Sequence, residues 1–169
     1  MLKKYAFKKY IIVFLAIIAL MLNFTSCKNH TPTVYEEIVY ASSITCNSAT
    51  ILNGENKQIE PSTVSNGIPI FVFDFIPNEN GNIYTKSDTN NPNVIQLNIE
   101  VLPHNANTQK IMFEYDEESY NDIIILREDI NAFVFLVPNK LITVTVKTTD
   151  GTNISTTVKI ICMKKINNL

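Results

Sequence analysis

The chain has 169 residues with 14 basic and 16 acidic side chains, three Cys, two His and no Trp. No clustered positive charge lies in its body, which excludes the electrostatic footprint of a nucleic-acid binder. No Cys or His spacing of the zinc type is present, so neither a metal nor a cofactor is expected.

Lys3, Lys4, Lys8 and Lys9 precede an apolar run at residues 11–22 that contains no charge, Gly or Pro. Twelve residues fall short of the ~20 a helix needs to cross ~30 Å of hydrocarbon, so a signal helix is expected instead of a permanent anchor. The lysines stay on the cytoplasmic side and the chain behind them is exported. Phe24, Thr25, Ser26 and Cys27 end the leader with small residues before a Cys. This ending resembles the lipobox of bacterial lipoproteins, with Phe24 where Leu is usual. The resemblance implies that residues 1–26 are removed and that Cys27 carries a diacylglyceryl group on its thiol and an acyl group on its new amine. Each buried methylene contributes ~0.8 kcal/mol, and two or more chains anchor stably where one does not. Ordinary secretion with a chance Cys27 is the alternative. Lys28 in place of Asp implies, by the same resemblance, the outer membrane of a Gram-negative bacterium.

Cleavage leaves 143 residues, a length that fits one domain with a sizeable core, with ten basic against sixteen acidic side chains. With Cys27 claimed by lipid, Cys46 and Cys162 remain as an even pair in an oxidising compartment. Each follows an apolar residue on its own strand face, Ile44 and Ile160, and a bridge between first and last strands is expected, with two buried free thiols as the alternative.

Residues 28–33, broken by Pro32, form a tether, and a single domain is expected over residues 34–169. Its first strand carries Ile38, Val39, Tyr40, Ile44, Cys46, Ile51 and Leu52 and ends at Asn53-Gly54, a pair that tolerates positive φ and marks a hairpin. Residues 68–76 are apolar enough for a strand buried on most of its length, with Phe71, Phe73 and Phe75 on one face. Residues 77–93 follow as a long Asn-rich connection, of the kind that is functional or disordered, or else a tolerated insertion.

Ile95, Leu97, Ile99 and Val101 alternate with Gln96, Asn98 and Glu100, the signature of a half-buried strand. Alternation resumes at Ile111, Phe113 and Tyr115, and the two runs are expected to pair antiparallel. Apolar runs at 123–126 and 132–137 flank a charged turn. The chain closes with Ile142, Val144 and Val146 on one strand and Val158, Ile160 and Cys162 on the next, around Asp150-Gly151. Pro138-Asn139-Lys140-Leu141-Ile142-Thr143-Val144-Thr145-Val146, followed by that turn, resembles the closing hairpin of bacterial immunoglobulin-like and PKD-like domains. No helical period longer than a turn is present, so the fold expected is all-β: an antiparallel immunoglobulin-like β-sandwich of about eight strands.

Catalysis has little to rest on. His30 lies in the tether and His104 in a polar turn, with no nucleophile motif, so no enzyme is expected. Asp116, Glu117, Glu118 and Asp122 form an acidic turn without the spacing of a calcium loop. A non-catalytic binding or accessory module acting through its loops is expected, with Tyr84, Asn82, Asp88, Asp116 and Tyr120 as the contacting residues. Beyond the bilayer, its partner is an unspecified protein or glycan and not nucleic acid. The alternatives are a structural envelope lipoprotein and a toxin-neutralising or inhibitor lipoprotein.

Overall fold

The computed structural model describes residues 37–164. The chain divides into a unit Met1–Glu37 and a unit Ile38–Leu169 that holds all the strands among the described residues. The leader, Cys27 and the tether lie outside the described residues. Among the described residues, no helix is long and apolar enough to cross a membrane.

The unit is a β-sandwich of two five-stranded sheets. Its strands are β1 (Ser43–Ile51), β2 (Lys57–Ile59), β3 (Thr63–Ser65), β4 (Ile68–Phe75), β5 (Val94–Leu102), β6 (Ile111–Glu114), β7 (Ile124–Arg127), β8 (Ala132–Phe135), β9 (Leu141–Thr148) and β10 (Ser155–Lys164). One sheet runs β2-β1-β5-β8-β7 and the other β3-β4-β10-β9-β6. Setting the short β2 and β3 aside leaves eight strands, seven of them in immunoglobulin-like order: β1, β5, β8 and β7 against β10, β9 and β6. The eighth, β4, lies beside β10 in the second sheet.

Alternation builds the core. Phe71, Phe73 and Phe75, then Ile142, Val144 and Val146, then Val158, Ile160 and Cys162 are all buried on the inner face of one sheet. Ile95, Leu97, Val101, Phe133 and Phe135 meet them from the other. Edge-on ring pairs join the sheets at Phe73–Phe135 and Phe113–Phe133, both at 5.4 Å. In β1 a bulge between Cys46 and Ser48 shifts the register by one residue, so that Ala49, and not Ser48, turns inward.

Three expectations are corrected. The runs in β5 and β6 do not pair, since β5 bonds to β1 and β8 while β6 bonds to β9. The connection between them crosses from one sheet to the other, a step that periodicity does not encode. β4 and β10 run parallel, with Phe73 beside Cys162 in register. Asn53-Gly54 does form part of a hairpin, but in a five-residue connection where only Gly54 of the pair has positive φ. The two-residue turn is made instead by Asn66 (φ 54°) and Gly67 (φ 77°), between Ser65 and its partner Ile68.

Register also sorts the connections into two ends. Ser43 at the start of β1 lies opposite Leu102 at the end of β5. Residues 103–110 and 149–154 therefore share the end where the chain comes in. Ala41 N–H donates to Asp150 Oδ2 at 2.7 Å and Val39 N–H to Asn107 Oδ1 at 2.5 Å, which fixes that incoming segment to both connections. The residues before β5, after β4 and after β8 lie at the opposite end.

Candidate functional site

That opposite end carries residues 76–93, and they are not slack. Asn93, 1% exposed, accepts from Ile76 N–H through Oδ1 at 2.7 Å and donates through Nδ2 to Ile76 C=O at 2.9 Å, which closes the base of the loop. Asn91 Oδ1 accepts from Asn93 N–H and Nδ2, and Asn91 Nδ2 donates to Phe135 C=O at 2.8 Å. At the tip, Asn78 Oδ1 accepts from the N–H groups of Asn80 and Asn82, while its Nδ2 donates to Ile83 C=O. Asparagine is suited to this work because one short side chain offers both donors and an acceptor to peptide groups nearby.

The expected contact residues are placed as follows. The Tyr84 ring packs edge-on against Phe75 at 6.1 Å, and its N–H donates to Leu136 C=O. Burial, then the charges of Asp88 and Glu79, raise its phenol pKa. Asp88 Oδ2 accepts from Thr85 N–H at 2.6 Å and from the Thr85 hydroxyl at 2.9 Å, closing a small turn. Asn82 is exposed and lines an open groove of 300 Å³ with Ile83, Pro138 and Lys164.

Asp116 caps the one-turn helix α1 (Glu117–Tyr120) by accepting from Ser119 N–H at 3.1 Å. Hydrogen bonding from Ser119 lowers its carboxyl pKa. Tyr120 is half-buried, and its hydroxyl accepts from Thr143 N–H at 3.3 Å. β6 ends opposite Thr145, so this phenol occupies the side of β9 that β6 has left. Four of the five residues thus hold the fold, and only Asn82 presents its side chain outward without such a bond.

The structure brings the two expected segments together. Lys86 Nζ donates to Asn121 Oδ1, joining residues 76–93 to the segment after α1. The 84–88 stretch separates two grooves. One, of 390 Å³, is lined by Glu79, Asn80, Tyr84, Ser87, Asp88 and Asn90; the other, of 430 Å³, by Lys86, Tyr115, Tyr120, Asn121 and the edge of β7. Both are open and polar at the rim, with tyrosine on a wall. Lys86 and Asn121 carried no motif, and only their joint position reveals them.

Cys46 and Cys162 are both buried and unbridged, in opposite sheets. Burial raises the Cys46 thiol pKa to about 12. Burial first, and the charge of Asp74 second, raises that of Cys162. His104 is exposed, 3.6 Å from Glu100. Among the described residues, no three His, Cys, Asp or Glu side chains gather as metal ligands. No family model matches the chain, and no curated protein matches it.

Proposed function

We propose that this protein is a lipid-anchored envelope lipoprotein whose sandwich acts as a non-catalytic binding module through the loop end described above. The observation that carries the binding reading is the convergence of residues 76–93 and 115–123 at one end, joined by Lys86 and Asn121. An end stiffened by internal hydrogen bonds loses little conformational entropy when a partner settles on it, which favours binding. The anchoring reading rests on the lipobox-like sequence at Phe24, Thr25, Ser26 and Cys27 behind a short apolar run. The described chain enters the sandwich at the end away from these loops, where Val39 and Ala41 are bonded to Asn107 and Asp150.

Two experiments test the two halves separately. Cys27→Ser should abolish acyl labelling and release the chain from the membrane fraction or leave it as precursor; unchanged processing and membrane retention would overturn the anchor. Asn80→Ala with Asn90→Ala alters two exposed groove side chains that take no part in the loop's own side-chain bonding. The double variant should keep its thermal midpoint and lose an envelope protein or glycan captured by the native chain. Equal capture by both would move the site elsewhere.

A further inference from the structure

β7 is an edge strand, with β8 as its ladder partner among the described residues. Leu136 N–H donates to Ile123 C=O, and the register places Ile125 opposite Val134 and Arg127 opposite Ala132. By the alternation of an antiparallel ladder, residues 123, 125 and 127 direct their peptide groups to β8. The N–H and C=O groups of Ile124 and Leu126 consequently face away from the sheet. Such a row is a template for another strand, and proteins generally blunt it with short strands, charges or a cover. β2 and β3, two of the other edges, are three residues long. The β7 edge, four residues long, borders the 430 Å³ groove, which Tyr115 and Tyr120 wall.

Charge distinguishes this edge further. Residues 114–131 hold seven acidic side chains and one basic one, Arg127, and of the seven Glu114 is already paired with Lys147 at 2.6 Å. Arg127 is paired with Asp129 at 2.9 Å, while Lys86, which lines the groove, holds Asn121 and keeps its positive charge against the carboxylates around it. Glu117 lines the groove itself, and with Glu128 it lies near enough to Tyr115 to raise that phenol's pKa beyond the effect of burial.

We propose that the β7 edge and its groove form a docking site for an extended, basic segment of a partner protein, which adds to the sheet as a further strand. Peptide groups of the segment bond to Ile124 and Leu126, alternate apolar side chains lie against Tyr115 and Tyr120, and the basic side chains meet the carboxylates of residues 116–128. Main-chain bonding supplies affinity in this mode and the alternating side chains supply selectivity. The inference deepens the reading of the loop end as a binding surface by naming the chemistry of the partner.

The test uses the full chain in mild detergent and a fluorescent peptide of alternating lysine and valine. Anisotropy should report saturable binding. Glutamate in place of lysine should abolish it, and N-methylation of alternate peptide nitrogens should weaken it by about tenfold or more, the loss of ~1.4 kcal/mol of main-chain bonding. Hydrogen exchange at Ile124 and Leu126 should slow in the complex. Glu117→Lys combined with Asp122→Lys should weaken the lysine peptide while the chain unfolds at the same urea concentration. Equal affinity after N-methylation, no binding of the lysine peptide, or protection confined to other strands would each overturn the proposal. If the peptide fails while the Asn80 and Asn90 double variant still loses its captured partner, this inference falls and the loop-end reading stands. If the peptide behaves as expected and that variant keeps its partner, the grooved loop falls and the β7 site stands.

Discussion

Asn93 is a polar side chain whose burial is fully matched by bonds to Ile76 and Asn91. Asn93→Ala leaves the N–H and C=O of Ile76 without their partner, while Asn91 Oδ1 keeps the bond from the residue 93 N–H, and leaving two such part-buried groups unsatisfied costs about 1–3 kcal/mol. A urea titration should show a lower midpoint of that size. Asp150 does comparable work at the other end. Bonds from the Thr152 hydroxyl, then from Ala41 N–H, hold its carboxyl pKa well below the ordinary carboxylate value. A depressed folded-state pKa contributes stability that is fully present above the unfolded value of ~3.9 and is lost as pH falls through the folded value. Asp150→Asn should therefore lower the urea midpoint at pH 7 and flatten its decline between pH 4 and the acid limit. Parallel acid limbs for the two chains would remove Asp150 from that role.

Among the elements, the hairpin of β3 and β4 depends most directly on a single residue. Gly67 sits at φ 77° with no atom within 4 Å of where a Cβ would stand, so a substitution there meets no neighbour and tests the backbone alone. An L-residue in this region costs ~1–2 kcal/mol, partly offset by the lower entropy of the unfolded chain. Gly67→Ala should reduce stability by about 1 kcal/mol, and thermal denaturation should show it without a change in the folded spectrum. Residues 76–93 behave as an element as well, since Asn93 closes their two ends at Ile76 and Tyr84 and Asn91 tie them to Leu136 and Phe135. Cutting them short removes core-facing bonds as well as a partner surface. The Asn80 and Asn90 side chains, which hold nothing together, are thus the better probe of binding.

Across the whole molecule, the first and last long strands lie in opposite sheets and contribute Cys46 and Cys162 to one core. Their raised thiol pKa values keep both protonated at pH 8, and burial excludes reagent. Alkylation of the folded chain at pH 8 should therefore spare Cys46 and Cys162 until the protein unfolds. Denatured without reductant, the chain should take up label at both positions, because both are free thiols in this structure. No uptake there, followed by uptake after reduction, would show that a bridge has formed between them, which requires Cα atoms within about 7 Å.

Several features are determined locally and were legible as sequence. Period-two alternation in β5, β9 and β10 selects an inner face before any partner strand is known, because successive side chains must point to opposite sides. Ile95, Leu97, Ile142, Val144, Val158 and Ile160 are buried as that rule requires. The all-β class and the closing hairpin follow from the same rule, and the length of residues 77–93 marked them as unusual. Pairing across the chain is different, since it depends on which surfaces meet. The parallel pairing of β4 with β10, the separation of β5 from β6, and Asp150 Oδ2 accepting from Ala41 N–H across 109 residues leave no periodic trace. Tertiary structure also decides what the side chains of the loop end touch. Tyr84, Asp88, Asp116 and Tyr120 look available in sequence because they are polar or aromatic residues in connections, yet their backbone neighbours and Phe75 engage them first. The edge of β7 exists only because the sheet stops there, and an outward-facing row of peptide groups is a property of assembled strands that no residue type announces.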